Sequence, residues 1–565
     1  NSVAGNTVLG EGALDASVSG GNNTAIGKNA LSALTSGTGN TSVGKDSLLL
    51  NTTGGSNTAV GITALDANVN GNNNTAIGNN CLSSSTSASQ NTAVGSSSLD
   101  SITTGFANVA VGFVAGGGLT TGNYNIAIGQ ESLAATSTAS NNTAVGHEAL
   151  KANTTGNRNT AVGRDSGLGN TTASNNTSVG AYSLRTNQTG IYNTAIGDSS
   201  FYNTTVSNNT GCGYASGYRT TSGHNNTAIG SQALYENTTG HSNVAVGSGA
   251  LDANTTANQN TAIGYLSLST NTTGSDNTAV GRATLFDNTT GSQNTAIGKD
   301  ALENNSTASN NTAVGYHALT VNTTGTENVA VGAYALDANT TGGYTTVLGN
   351  YSLSKQTTGG SNVSLGHATL SENTTGSYNV AVGVNACDAN TTSGSLTAIG
   401  YDSLTASTGG GNTALGRSAG YNITNGTNNT CIGQYAEASS YNTHNEITLG
   451  NSSVSTLRCN TQTISSLSDA RDKTNVINLP EGLDFVTKLR PVKFKWATRD
   501  GNGKDGLFEH GFIAQDLQLL QKENDANYLN MVMDQNPDRL EASYGKLVPI
   551  LVNAIKELSA KVTAL

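Results

Sequence analysis

Hydrophobic and polar positions recur along residues 6–450 with a period of 17 residues. One unit, residues 277–293, reads NTAVGRATLFDNTTGSQ, and its positions are numbered 1 to 17 from Asn277. Position 2 is Thr, Val or Ile, position 4 is usually Val, Ile or Leu, and position 9 is usually Leu. Residues two apart lie on one face of a strand, and β-branched side chains favour strands. So strict a repeat predicts one structural unit stacked on itself many times.

Each unit is too short to hold a helix and a strand with their connections. The Asn-Thr-Thr-Gly quartet at positions 12–15 is typical of a turn, because Asn bonds its own backbone and Gly accepts positive φ. The sequence therefore predicts an all-β fold over residues 1–450, a parallel β-solenoid of about 27 coils with two strands per coil. We expect the Asn side chains at positions 1 and 12 to form ladders along the stack.

Two steps of the repeat are one residue short. The glycines at position 5 lie 16 residues apart between Gly197 and Gly213 and between Gly400 and Gly416. We expect each short step to remove one turn residue and to leave the strands in register.

Position 3 is nearly always Ala or Ser and points to the face opposite positions 2 and 4. Two apolar faces on one strand imply burial on both sides. We expect positions 2 and 4 to fill the coil and the small residues, such as Ala127, Ala144 and Ala161, to approach another chain. This pattern favours a homo-oligomer over a single chain.

Composition and charge exclude several kinds of function. The net charge of −11 is spread thinly and forms no basic stripe, so no nucleic-acid partner is predicted. No apolar run reaches transmembrane length, so no membrane insertion is predicted. The chain begins at Asn1 without an initiator Met, and we expect a further segment upstream of it.

Four of the five cysteines fall at packing positions of the repeat. They replace small or apolar residues and are interpreted as buried small hydrophobes, not ligands or disulfides: Cys81 at position 8, Cys212 at position 4, Cys387 at position 9 and Cys431 at position 3. The state of Cys459, beyond the repeats, stays open. No metal-ligand spacing occurs, so no metal and no cofactor are predicted.

The composition changes after Gly450. Residues 451–467 form a polar linker, and residues 468–565 hold the only Trp, all four prolines and both methionines, as a separate domain would. This domain is predicted to be a small α+β unit with a strand at Val492–Ala497 and a helix at Phe512–Lys522. Residues 546–565 carry a heptad pattern that predicts a short terminal coiled coil.

Ordered strings in this domain resemble one known family. They are SDARDKTN from Ser468, GLDF from Gly482, LRPVKF from Leu489, HGFIAQ from His510 and YGKLVP from Tyr544. Over residues 468–565 they resemble the endosialidase-type intramolecular chaperone domain, which closes many bacteriophage tail fibres and tailspikes. The family trimerises, helps a β-stranded fibre to fold and then cuts itself off. Together with the small residues at position 3 and the terminal heptad, the resemblance implies a homotrimer with parallel chains in register.

The resemblance implies a self-cleavage site between Leu467 and Ser468. It implies that Ser468 is the nucleophile, Lys473 its base and His510 a residue needed for efficient release. A Lys can accept a Ser hydroxyl proton if burial makes its amine neutral. The only enzyme activity expected is therefore a single-turnover serine–lysine autoprotease, with no external substrate. Without the surrounding strings, a Ser and a Lys five residues apart predict no catalysis.

The repeats also resemble the left-handed parallel β-roll in the heads of trimeric autotransporter adhesins. That resemblance rests on the Val-Ala-Ile-Gly type of strand, whereas the 17-residue unit is longer and adds the Asn-Thr-Thr-Gly turn. Handedness and strand placement are therefore left open.

These patterns predict a structural and adhesive fibre, a phage tail fibre or other virion appendage that reaches a host surface. The alternative is a trimeric surface adhesin or filament of a bacterium, located at the cell surface. A third interpretation is an ice-binding solenoid, because Thr recurs at positions 13 and 14, although this pair lies in a turn. The expected partners are a host glycan or protein receptor and an upstream fibre or virion attachment protein. Tyrosines at positions 6 and 7 could stack on a sugar, but variable positions beside a turn also tolerate Tyr, and the second interpretation is favoured.

Overall fold

Each coil of the repeat region contains one three-residue strand, formed by positions 2 to 4 of the unit. The computed structural model describes residues 3–454, 456–458, 468–497, 505–534, 538 and 540–564. The first unit of the chain, Asn1–Tyr344, holds 20 of these strands. They are β1 Thr7–Leu9, β2 Thr24–Ile26, β3 Thr41–Val43, β4 Thr58–Val60, β5 Thr75–Ile77, β6 Thr92–Val94, β7 Val109–Val111, β8 Ile126–Ile128, β9 Thr143–Val145, β10 Thr160–Val162, β11 Thr177–Val179, β12 Thr194–Ile196, β13 Thr210–Cys212, β14 Thr227–Ile229, β15 Val244–Val246, β16 Thr261–Ile263, β17 Thr278–Val280, β18 Thr295–Ile297, β19 Thr312–Val314 and β20 Val329–Val331.

The second unit, Thr345–Leu565, holds the remaining coils and the C-terminal elements. Its repeat strands are β21 Thr346–Leu348, β22 Val363–Leu365, β23 Val380–Val382, β24 Thr397–Ile399, β25 Thr413–Leu415, β26 Thr430–Ile432 and β27 Ile447–Leu449. Within each unit, every strand pairs in parallel with the strand of the next coil. The repeat region is therefore a parallel β-solenoid, as its period predicts.

The register follows the repeat position by position. Thr143, Ala144 and Val145 of β9 lie beside Thr160, Ala161 and Val162 of β10. The two short steps keep this register, because β12 pairs with β13 and β24 pairs with β25 at equivalent positions. The missing residue is therefore absorbed outside the strands, as expected.

The predicted second strand of each coil does not form in the described residues. Positions 6 to 11 make consecutive turns instead, and positions 7 and 9 have positive φ, as at Ala283 (50°) and Leu285 (52°). The coils still exchange backbone hydrogen bonds there, since the Leu285 N–H donates to the Ala301 carbonyl (3.0 Å). Positive φ is uncommon for Leu and costs about 1–2 kcal/mol per residue, so strand patterning did not reveal this path.

The two faces of the strand are reversed relative to the prediction. Position 3 points into the coil, where Ala127, Ala144 and Ala161 are fully buried. Positions 2 and 4 point outward, and Ile128 exposes 39 % of its surface. A 17-residue coil is thin, so Ala or Ser at position 3 leaves just enough space for the buried Leu at position 9. The small residues therefore fill the coil and do not face another chain.

Two ladders of buried Asn side chains join the coils, as predicted. At position 1, the Asn294 backbone N–H donates to the Asn277 Oδ1 (3.0 Å). At position 12, the Asn288 Nδ2 donates to the Asn271 Oδ1 (2.8 Å). Both ladders meet at position 15, because Asn277 and Asn288 each donate to the Gly291 carbonyl (2.9 Å). Most buried Asn side chains thus find hydrogen-bond partners along the stack, although the Oδ1 atoms of Asn68 and Asn153 have none among the described residues.

Glycine at position 5 allows the coils to stack closely. Gly281 has a φ of +140°, and a Cβ added there would lie 2.5 Å from the Gly298 carbonyl oxygen of the next coil. A side chain at this position would separate the coils, which explains why this glycine recurs in every unit.

The C-terminal region is a small α+β arrangement. Its elements are helix α1 Leu483–Lys488, strands β28 Val492–Lys495 and β29 Phe508–Gly511, helix α2 Ala514–Glu523, strands β30 Val532–Met533 and β31 Glu541–Ala542, and helix α3 Leu547–Thr563. β28 pairs with β29 and β30 with β31, both antiparallel. The predicted strand and the predicted helix are present as β28 and α2, and α3 lies in the segment that carries the heptad pattern.

The core of this region is formed by Phe485 of α1, Leu517 and Leu520 of α2, and Leu547 and Ile550 of α3. Within the described part of the chain, no helix has both the length and the apolar character required to cross a bilayer.

Candidate functional site

A single 3-10 turn brings Ser468 and Lys473 together. The turn spans Ala470–Asp472, and the Asp469 side chain caps it by accepting a hydrogen bond from the Arg471 backbone N–H (2.9 Å). Lys473 ends the turn, and its Nζ donates to the Ser468 Oγ (2.5 Å) and to the Ser468 carbonyl (3.3 Å). The local geometry therefore places an amine directly on a serine hydroxyl.

The cap is reinforced by charge. The Arg471 guanidinium donates to the Asp469 carboxylate through its Nε (3.0 Å), and this contact lowers the pKa of Asp469 below its usual value. A carboxylate at the start of a helical turn is also favoured by the free backbone N–H groups there. Asp469 and Arg471 are therefore positioning residues that sequence reasoning did not identify.

The pair lies on the surface of the single chain, since Ser468 and Lys473 are both exposed. A lysine acts as a base only when its amine is neutral, which burial or a nearby cation can achieve. The arrangement supplies the nucleophile and the base at contact distance. The described residues around Ser468 and Lys473 do not shield the lysine amine from water, as its action as a base would require.

Of the other two predicted site residues, His510 is among the described residues and Leu467 is not. His510 is exposed on β29, where it pairs with Lys493 of β28, and no hydrogen bond among the described residues joins it to Ser468 or Lys473. Leu467, on the other side of the expected cleavage point, lies outside the described residues, as does Cys459.

Comparison with known families supports this region as a chaperone. Residues 468–524 match the family model described as chaperone of endosialidase. The match begins at Ser468 and includes Lys473 and His510, whereas the string that starts at Tyr544 lies beyond it. No significant match was found among curated proteins or among solved structures. The chain thus carries, after its β-solenoid, a segment that is similar to the chaperone of endosialidase family.

The outward strand face is a second candidate site. Ile196, Ile229 and Ile263 at position 4 expose 42, 39 and 40 % of their surfaces, and they lie on the same side of alternate coils. Cys212 is also at position 4 and is exposed, so its predicted burial is wrong. The error arises because position 4 was expected to face into the coil, whereas it faces outward.

The other three cysteines of the repeats are buried free thiols, as predicted. Burial raises the pKa of Cys81 and of Cys431 to about 11, and it raises the pKa of Cys387 even further. Such thiols react slowly, because the thiolate is the nucleophile. Among the repeat cysteines, Cys212 is thus the one open to solvent in the single chain.

Helix α3 carries a second unpartnered apolar face. Leu547, Ile550 and Ala554 are buried against the C-terminal core. The heptad positions point away from that core and are exposed: Val548, Leu551, Ile555, Leu558 and Val562. One face of α3 therefore packs within its own domain, and the other face is exposed to solvent.

One cluster has the residue types of a metal site. Ligand atoms of His147, Glu148 and Asp165 lie within 4.8 Å of one another. Three cationic side chains surround them, and each lies within 4 Å of one of the two carboxylates: Lys151, Arg164 and Arg185. These cations balance the acidic groups, so the cluster is interpreted as an ion-pair network on the surface of the stack.

Proposed function

We propose that this chain is a structural fibre whose C-terminal domain directs assembly and then releases itself by cleavage before Ser468. The observation that carries the proposal is the contact between Lys473 and Ser468 at the first residues of the matched chaperone segment. A long parallel β-solenoid needs such help, because pairing distant segments in register is slow and leaves edges exposed. A trimerising domain raises the local chain concentration and sets the register.

The proposed chemistry uses the chain's own groups. The Ser468 Oγ attacks the Leu467 carbonyl carbon while the Lys473 amine takes the hydroxyl proton. The Leu467–Ser468 amide bond breaks as the proton passes to the leaving Ser468 nitrogen, and the Leu467 acyl group remains as an ester on Oγ. Water then hydrolyses this ester, which frees the carboxylate of Leu467. His510 is assigned the role of assisting release.

The exposure of Ser468 and Lys473 in the single chain determines when cleavage occurs. In the single chain Ser468 and Lys473 are both exposed to water. Packing of further chains around this region would remove that water and favour the neutral amine. Cleavage therefore follows assembly, and an unassembled chain stays intact.

Mutation of the dyad tests this proposal. In Ser468→Ala the nucleophile is lost, so intact-mass spectrometry should show only the full-length chain, and Lys473→Met should cut at least 100-fold more slowly. Ser452→Ala, which removes an exposed serine just before the domain, is the matched control and should cut normally. A Ser468→Ala chain that still splits between residues 467 and 468 would contradict the assignment.

We place the fibre on a virion, as a tail fibre that reaches a host surface, and keep the bacterial surface adhesin as the alternative. Support for a glycan receptor is confined to exposed aromatic groups, such as Tyr401 and Tyr435. Their ring centroids lie 5.9 and 5.4 Å from the Arg417 Cζ. The ice-binding alternative is weakened, because position-13 hydroxyls already donate to the next coil, as Thr289 does to the Ser306 carbonyl (2.9 Å).

A further inference from the structure

The outward-pointing positions of the strands, 2 and 4, carry the same types of residue throughout the repeat region. Position 4 is Val, Ile or Leu in 26 of the 27 strands and Cys in one, and position 2 is always Thr, Val or Ile. No charged residue occurs at either position. We call the row formed by positions 2 and 4 the outward strand face.

Other exposed positions of the same coils behave differently. Position 6 is Lys45, Ile62, Arg164 or Tyr214 in different coils, and so ranges from charged to aliphatic and aromatic. The internal repeats thus allow a comparison of two outward-pointing positions within one chain. A solvated strand face would accept Thr, Tyr, Lys or Arg at position 4, since these residues also suit strands or solvent. Their absence from 27 copies indicates that this face is covered in the working protein.

The size of the face also requires a partner. Neighbouring strands lie about 4.8 Å apart, and two residues span about 7 Å along a strand, so the face of the first unit is about 90 Å long. Its area is on the order of 600 Å². Position 4 supplies a continuous apolar row along it, and position 2, which is Thr in 20 of the 27 strands, flanks that row. A face this long and this regular matches a partner with the same 17-residue period.

We infer that the outward strand face packs against the same face of two further copies of this chain, parallel and in register. A second copy is the partner whose apolar positions repeat at the same interval, and a shared threefold axis brings three identical rows together. The exposed heptad face of α3 gives independent support, because it needs the same kind of partner. The inference rests on the proposed fibre function and identifies its assembly surface.

Cys212 is a natural probe of this surface. It lies at position 4 of β13, between Ile196 of β12 and Ile229 of β14. In the assembled full-length chain, its thiol should react with a bulky maleimide at least tenfold more slowly than in the urea-unfolded chain, as measured by peptide mass spectrometry. Mild oxidation should produce a crosslinked pair of chains through Cys212, since in-register copies bring the Cα atoms within about 7 Å. The crosslink should vanish in Cys212→Ser.

Charge placed beside the probe tests the same face. In the double variant Ile196→Lys, Ile229→Lys, the two ammonium groups cannot be buried between chains, so labelling of Cys212 should speed up at least tenfold. The matched control is Thr189→Lys, Thr239→Lys, which adds the same charge at exposed position 14 of nearby coils and should leave Cys212 protected.

The outcomes separate this inference from the proposed function. If light scattering shows a trimer but Cys212 of the unmodified chain reacts freely, the assembly surface is elsewhere and the fibre function stands. If the unmodified chain is a monomer, both the surface and the trimeric fibre are wrong. Equal protection of Cys212 in the lysine variant and in its control would also overturn the inference.

Discussion

Aspartates at position 10 of the repeat are the main titrating groups that the fold disturbs. Partial burial raises the pKa of Asp66, Asp337 and Asp388, and one carboxylate oxygen of each has no hydrogen-bond partner among the described residues. A buried polar atom without a partner costs about 1–3 kcal/mol. These residues therefore destabilise the stack slightly.

The raised pKa values predict how stability changes with pH. A carboxyl group whose pKa rises on folding stabilises the fold when it is protonated. This contribution is complete below its unfolded value near 4 and is lost as pH rises through the folded value. The triple variant Asp66→Asn, Asp337→Asn, Asp388→Asn should therefore lose part of the rise in melting temperature that acidification from pH 7 to pH 4 produces.

The control for this series is Asp15→Asn, Asp276→Asn, Asp287→Asn, in which all three carboxylates are exposed. This control should keep the pH profile of the unmodified chain. Identical profiles for the buried and the exposed triple variants would show that burial at position 10 does not shift these carboxyl groups.

At the residue scale, the sequence predicted contacts that depend on short local spacing. Ser468 and Lys473 do meet, because five residues with one 3-10 turn between them bring the two side chains together. The Asp469 cap was not predicted, since an Asp before a turn has many other roles. The placement of His510 depends on the pairing of β28 with β29, which spacing alone does not define.

At the element scale, a large core residue in one coil is compensated by small residues in the next coil. Phe201 occupies position 9, where Leu is usual, and is fully buried. The next coil has glycine at both positions that face the ring: a Cβ on Gly211 would lie 2.7 Å from the Phe201 Cδ2, and one on Gly217 would also overlap the ring. The large residue and the two glycines therefore form one packing unit.

This unit predicts coupled substitutions. Gly211→Ala should destabilise the stack by about 1–3 kcal/mol, because the added methyl group meets the ring of Phe201. Phe201→Leu restores the usual residue and makes room, so in the double variant the cost should be smaller than the sum of the two single costs. Denaturant midpoints of the three variants measure this coupling. Strict additivity would contradict the packing account.

The repeat period predicted the strands, their register and both Asn ladders, because each depends on the spacing of side chains along the chain. It did not predict the path of positions 6 to 11, where Leu285 and its equivalents adopt positive φ. That conformation is imposed by stacking against the next coil, and local preference opposes it. The inward direction of Ala144 was missed for a related reason, since alternation separates two faces without naming the inner one.

At the scale of the whole molecule, the chain leaves two apolar surfaces open, and both repeat at regular intervals. The outward strand face follows the 17-residue period, and the exposed face of α3 follows a heptad. Identical copies in register would cover both at once. Removing the chaperone afterwards would leave a fibre that unfolds slowly and does not easily reassemble, a form of kinetic stability.

The mass of the uncut assembly tests the central claim most directly. In Ser468→Ala, the domain that directs assembly stays attached, so light scattering of the folded full-length chain should give three times the chain mass of 57.0 kDa. Wild-type protein assembled under the same conditions should release the C-terminal domain. A folded Ser468→Ala chain that remains at 57.0 kDa over a wide range of concentration would contradict the account.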